Sequence, residues 1–440
     1  MFTISGTPQR VFLPGLERRP PGPDAATVLA VYLFLLLAIP SNRTVAALGG
    51  AGAPAALFAI VALLWWCWYH VQRPTPSLAR DSQPIRIALL LFVAAALASY
   101  AAGASRALPE AEINALNLGL LRIAAFAGIL LLATDGIPNR ERLITLLRWL
   151  CFLGGTFAAL GLLQFFSGQS FVDRLSIPGL NVSDFGALQD RGGFNRSMAT
   201  ARNPLEYAFV LAMILPLALT LALHDTRSRL LLRWFPVGTI TVAALLSVSR
   251  SAIIGVLVAV VVLLPSWSPA VRRRAGLTAA ALVGIVWVAV PGMVGTIKGL
   301  FGGQDPSLKS RTDSYDVAAT FVEMNPLLGR GFGTFLPEYR ILDNQYLVTL
   351  IDMGILGLIA LCTVPAVGIV VAIRARRHYT EPLLANLGPA LAASLAAGAV
   401  LTGFFDAFSF PQAAGMLFFV AGLSGAYWRM KDSRGTERYA

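Results

Sequence analysis

The groups in this chain that could do chemistry sit in two polar stretches. Arg174, Arg191, Arg196 and Arg202 lie in the first; Lys309, Arg311, Arg330 and Arg340 lie in the second, which runs from Lys298 to Gln345. Arg250 stands between them, flanked by Ser249 and Ser251. A guanidinium grips phosphate oxygens in pairs and keeps its proton at any physiological pH, so clustered arginines suit an anionic ligand or a phosphate leaving group. The same regions supply carboxylates that could take a proton: Glu206, Asp313, Asp316, Glu323, Glu338, Asp343 and Asp406. Asp343 is the best placed, because it closes the second stretch immediately before a long apolar run. The alternative for each acid is a partner for a nearby arginine.

Long apolar runs must position these groups. Hydrophobic residues make up 56% of the 440-residue chain and charged residues only 13%, with a mean hydropathy of +0.68. A soluble domain carries nearly twice that charge fraction. The fold class expected is an all-α polytopic membrane protein of about twelve transmembrane helices. At about 20 apolar residues per crossing, the spans fall near 26–41, 45–69, 85–104, 116–134, 143–167, 204–224, 234–248, 251–265, 276–297, 345–373, 384–404 and 412–429. The seventh and eighth are short and could form one hairpin turning at Ser249-Arg250-Ser251. The organisation expected is a cytoplasmic tail over 1–25, helices one to nine over 26–297, an extracytoplasmic loop over 298–345, three helices over 346–429 and a tail over 430–440. Within that loop, Tyr315, Ala318, Ala319 and Val322 recur at helical spacing before Asn325-Pro326, which predicts an amphipathic helix on the membrane surface.

Most of the 35 basic residues fall in loops on the side shared by both termini, which makes that side cytoplasmic. The net charge of +12 then reflects topology rather than nucleic-acid binding. Cys67, Cys151 and Cys362 lie inside apolar runs, as small hydrophobes rather than a disulfide or metal framework. His70, His224 and His378 all end spans on the cytoplasmic side, so a base on the other side must be a carboxylate. No ATP is present outside, so an enzyme there draws energy from its substrate. A polyprenyl diphosphate bearing a glycan is such a substrate. Its transfer needs cations for the departing diphosphate and a base for the acceptor hydroxyl.

Several motifs occur in a fixed order. Arg191-Gly-Gly-Phe and Asn203-Pro204 lead into a span, and Ser249-Arg250-Ser251 opens another. Asn325-Pro-Leu-Leu-Gly-Arg-Gly-Phe-Gly-Thr-Phe335 follows, then Asp343-Asn-Gln-Tyr-Leu347 and Asp352-Met-Gly-Ile-Leu-Gly357. Over about residues 190–360 this order resembles the O-antigen ligase and O-antigen polymerase superfamily of bacterial envelope enzymes. The resemblance implies a metal-independent, inverting glycosyltransferase of the GT-C type without a cofactor. Its partners would be an undecaprenyl- or decaprenyl-diphosphate-linked glycan donor, a glycan acceptor and the lipid bilayer. By carry-over, Arg191 or Arg196 and Arg250 would hold the diphosphate, with Arg202 and Arg311 as further diphosphate contacts. Asp343, Arg250 and Arg191 would be catalytic, and Glu206, Glu338 and Asn344 would meet the glycan or acceptor. The ligases carry a His where Asp343 precedes Asn344; a carboxylate can still take the proton, and the replacement leans the reading toward the polymerases.

Other classes make different demands. A transporter or lipid flippase, the alternative reading, usually shows internal repeats and ionisable groups near the midplane. Here no repeat is evident, and Arg122 is the one charge well inside a span. A non-catalytic scaffold would not require arginine clusters outside. Gly329-Arg-Gly-Phe-Gly-Thr lacks the lysine of a P-loop, and its glycines suit a tight turn or close approach of the backbone to sugar or phosphate.

Overall fold

The computed structural model describes residues 24–72, 83–172, 175–182, 189–191, 193–247, 249–290, 295 and 306–431. The expected tails at 1–23 and 432–440, and residues 298–305 of the expected loop, lie outside the described residues. The chain is mostly helical: α1 Ala25–Ala38, α2 Pro54–Val71, α3 Pro84–Ala104, α4 Glu110–Gly136, α5 Arg140–Ser167, α6 Pro204–His224, α7 Leu230–Leu246, α8 Arg250–Leu263, α9 Pro269–Ala289, α10 Pro306–Met324, α11 Gln345–Arg376, α12 Pro382–Thr402 and α13 Pro411–Arg429. Local chemistry sets their starts. Asp24, Asn139, Asn203 and Asn344 cap α1, α5, α6 and α11 through side-chain oxygens, and proline opens α2, α3, α6, α12 and α13.

Among the described residues, seven helices are long and apolar enough to cross a membrane: α2, α3, α4, α5, α6, α11 and α12. Helices α1, α7, α8, α9 and α13 occupy the other five expected stretches, and residues 291–294 and 296–297 of the ninth lie outside the described residues. Helices α1 and α8 have 14 residues and α7 has 17, at or below the lower end of the length that crosses a bilayer. Helix α9 carries Arg272, Arg273 and Arg274 near its start. Helix α13 is buried by protein along its whole stretch from Gln412 to Tyr427. It packs against α4, α11 and α12, and aromatic rings from three elements lock it there: Phe126 stacks on Phe418 at 4.6 Å, and Phe92 and Phe408 close on the same ring. Helices α7 and α8 do turn at Ser249-Arg250, but they diverge, α7 onto α5 and α6 and α8 onto α6 and α12.

Two short antiparallel pairs decorate one end of the bundle. β1 (Arg43–Thr44) pairs with β2 (Asn181–Val182), and β3 (Gln189–Arg191) pairs with β4 (Phe194–Arg196). Gly193, at φ +80°, supplies the left-handed conformation that such a tight hairpin demands. In α10 the buried face differs from the expected one. Ala318 is buried and Phe321 and Val322 pack with it, whereas Tyr315 is 54% exposed and Ala319 also faces outward. Phe321 is the large anchor, and it rotates the helix by about one position relative to the small-residue pattern.

Candidate active site

Helix α11 is not continuous. Gly354, at φ +63° and ψ −167°, breaks it into a first piece from Gln345 and a second that runs to Arg376. The second piece, from Ile355, spans roughly 33 Å, about the thickness of a hydrocarbon core. A break inside an apolar helix frees backbone groups that must find partners in protein. The segment Asn325–Phe335 provides them. Ile355 N donates to Pro326 O at 2.9 Å and Leu356 N to Leu327 O at 3.3 Å, while Arg330 N and Gly331 N donate to Ile351 O and Asp352 O at 3.0 and 2.8 Å. The buried Asp352 carboxylate accepts from Gly333 N at 2.8 Å and Phe335 N at 3.0 Å, and Ser99 of α3 donates to the Asp352 carbonyl at 2.7 Å.

Two glycines make this approach possible. A Cβ on Gly329 would lie 2.3 Å from the Asp352 carbonyl, and one on Gly354 would lie 2.3 Å from the Leu327 carbonyl. Both have positive φ, +68° and +63°. Each glycine is therefore required by the backbone that the other one flanks. The segment is also tied to α4. Arg330 donates to Glu112 at 2.8 Å and lies over the rings of Phe321 and Tyr339; the Tyr339 hydroxyl donates to Glu112 at 2.5 Å, and Arg106 donates to the Arg330 carbonyl at 2.6 Å. Arg330 is thus engaged in seating its own loop.

The first piece of α11 is fixed at its start as well. Asn344 Oδ1 accepts from Tyr346 N and Leu347 N at 3.0 and 3.4 Å, Gln345 N donates to Phe405 O at 3.0 Å, and Gln345 Oε1 accepts from Phe408 N at 2.8 Å. These bonds staple the half-helix to the loop between α12 and α13, which places Asp343 and Asp406 within electrostatic reach of each other. Burial pushes the Asp406 carboxyl up to about 6; the Asp343 charge acts in the same direction, while Ser409 and Arg202 oppose it.

Arg202 is held there by a second tie. The fully buried Glu206 accepts from Ser41 Oγ, Arg202 N and Gln412 N, each at 2.8 Å, so one carboxylate joins the starts of α6 and α13 to the loop after α1. Arg122, midway along α4, has Asp352, Asp406 and Arg202 as its electrostatic neighbours. It also heads a narrow apolar recess walled by Phe126, Phe408 and Pro411.

Asp406 thus has Asp343, Arg202 and Arg122 among its electrostatic neighbours. Arg250 is partly buried at the start of α8, between Ser249 and Ser251, whose hydroxyls bond at 2.8 Å. Arg196 is partly buried in β4. Arg191 lies in β3 and Arg311 in α10; their side chains lie outside what is described. Glu338 is exposed beyond the glycine-rich segment, Asn344 serves as a helix cap, and Glu206 holds three segments together. Sequence reasoning gave too little weight to Arg122, whose signal was its position inside a span, and to Asp406. Asp352 carried a signal too, as the acid that opens Asp352-Met-Gly.

Residues 235–362 match the family model described as O-antigen ligase. The match agrees with the resemblance drawn from the motifs and is consistent with the O-antigen ligase superfamily, which suggests membrane glycan transfer of the ligase or polymerase type. It covers Arg250, Arg311, the glycine-rich segment, Asp343 and the α11 break, and it stops short of Arg191, Arg196 and Arg202. No curated protein matches the chain.

Proposed function

We propose that this chain transfers a glycan from a polyprenyl diphosphate to a saccharide or lipid-glycan acceptor on the outer face of the plasma membrane, as an O-antigen or exopolysaccharide polymerase or ligase. The observation that carries the reading is the match of residues 235–362 to the O-antigen ligases, in a chain where Asp406 has Asp343, Arg202 and Arg122 as electrostatic neighbours. The acceptor hydroxyl oxygen attacks the anomeric carbon from the face opposite the leaving group, and configuration inverts. The carbon–oxygen bond to the diphosphate breaks, and its electron pair goes to the phosphate oxygen. Guanidinium groups receive that charge, Arg202 and Arg250 together with Arg191, Arg196 and Arg311 in this reading, in the role that preorganised donors play at developing anions. The acceptor proton passes to Asp343, which has Asp406 beside it. Glu338 and Asn344 lie on the approach that an acceptor would use. Both termini then face the cytoplasm.

A broken helix is also a transporter device. Here the break is filled by the chain's own Asn325–Phe335 segment, which supports a scaffold for chemistry over a moving gate. The deciding experiment uses proteoliposomes holding the purified protein, a lipid-diphosphate glycan donor and an acceptor glycan. Expected products are an elongated acceptor and free polyprenyl diphosphate in equal amounts, by mass spectrometry. Movement of intact donor between leaflets with no bond cleavage would establish the flippase reading instead.

A further inference from the structure

A second site lies at the opposite end of the bundle, around the start of α5. Two grooves flank this helix and share Thr145 and Trp149. One, of about 330 Å³, runs between α5 and α1 along Ala30, Val31, Phe34 and Leu153; the other, of about 430 Å³, runs between α5, α6 and α7 along Phe152, Leu221, Leu232 and Pro236. Both volumes are of the size that holds a drug-sized or lipidic ligand. Their walls are apolar and open outward: Phe34, Trp149 and Leu232 are each more than a third exposed. Trp149 stands as a ridge between them.

Cations rim both grooves. Arg142 at the first is paired with Asp24, and Arg148 at the second is bidentate to Asp225 at 2.7 and 2.9 Å. Those two pairs neutralise themselves. Arg229 is exposed at the second rim, and Arg233 donates only to the Asp225 carbonyl, at 2.7 Å, leaving its Nε shut from water with no hydrogen-bond partner. The second rim thus carries Arg229 and Arg233 in excess over its one carboxylate, directly above an apolar channel. A soluble anion has no use for the two channels. A zwitterionic lipid brings a cation that the surplus repels.

We propose that this end of α5 binds one anionic phospholipid, with its phosphate at Arg229 and Arg233 and its two acyl chains in the grooves on either side of Trp149. The site is independent of glycan transfer. The test is native mass spectrometry and thermal unfolding of the full chain in detergent, with phosphatidylglycerol, phosphatidylcholine of the same chains, or inorganic phosphate added. Phosphatidylglycerol is expected to form a one-to-one adduct and raise Tm, with the other two inert. Replacing both arginines, Arg229→Gln with Arg233→Gln, should weaken that adduct about tenfold or more. Trp149→Ala should weaken it with the rim intact. The exposed Arg229→Gln alone, which disturbs no packed contact, should show a smaller loss if the double variant misfolds. Equal binding of phosphatidylcholine would reduce the grooves to ordinary lipid-facing surface. Competition by inorganic phosphate at equal strength would make the rim a free-anion site. Unchanged phosphatidylglycerol affinity in Arg229→Gln and in Trp149→Ala would overturn the proposal.

Discussion

A carboxylate can accept a proton at neutral pH only if its surroundings keep it ionised until the reaction needs it. Asp343 lies just before α11 within electrostatic reach of Asp406, whose carboxyl is pushed up to about 6 by burial. Asp343→Asn keeps shape and hydrogen bonding but cannot take the acceptor proton. Transfer should fall at least about a hundredfold while donor lipid still binds; normal transfer would move the base elsewhere. Asp343→His, which restores the ligase residue, should keep partial activity. The Asp406 carboxyl is protonated below about 6, so transfer should decline as pH falls through that value, and Asp406→Asn should remove this limb from the pH profile. The linkage has the opposite sign for stability. The native protein holds a proton that the unfolded chain releases near pH 4, so Asp406 costs stability as pH rises from about 4 through 6. Arg122 offers another separation. A charge inside a span without a direct ion pair is expensive, so Arg122→Leu should raise Tm or leave it unchanged. Should Arg122 help to hold the diphosphate, the same variant loses donor affinity; unchanged affinity would leave it a bystander.

At the scale of elements, the Asn325–Phe335 segment and the α11 break stand or fall together. Gly354→Ala places a side chain in a left-handed conformation, at about 1–2 kcal/mol, and drives it into the Leu327 carbonyl. We expect a lower Tm and faster protease cleavage in the segment between α10 and α11, with Gly329→Ala behaving alike. Asp352→Asn replaces one accepting oxygen with an amide NH2 that faces a backbone N–H, donor against donor, and leaves a buried group unsatisfied, worth about 1–3 kcal/mol. Wild-type stability in all three variants would mean the break is not held by the loop. This device was half legible in the sequence. Gly329-Arg-Gly-Phe-Gly and Asp352-Met-Gly both stand out in the sequence, but the glycines of the first suggest a tight turn or an approach to sugar or phosphate, whereas Gly329 closes on the backbone of α11. The stretch after Gln345 nevertheless looked like one unbroken helix, because an apolar run does not reveal a break whose partner lies some two dozen residues upstream. Helix bounds were more legible: α1 (25–38), α7 (230–246) and α8 (250–263) fall within about four residues of the apolar stretches at 26–41, 234–248 and 251–265.

For the whole molecule, the sidedness argument rests on arginine placement, and it makes one demand. A cysteine at Ser307, at the start of α10, should react with a membrane-impermeant maleimide in cells whose outer barrier is open. Labelling only after lysis of the inner membrane would turn the protein over and remove the functional reading with it. The all-helical membrane architecture was the most legible feature, because composition alone excludes a soluble fold. The meeting of Asp343 with Asp406 and Arg202 was not, since it depends on α6, α11 and the loop before α13 ending at one level.

The broken helix also imposes an order on synthesis. Every group that seats the glycine-rich segment, from Ser99 and Glu112 to Asp352, Ile355 and Leu356, has been made by the time the start of the second piece of α11 leaves the ribosome. Asp406 and the Gln412 tie to Glu206 come later, with the hairpin of α12 and α13. A nascent chain halted between the two stages would hold a finished floor and no second carboxylate. It would be inert toward the lipid diphosphates around it until the final hairpin inserts.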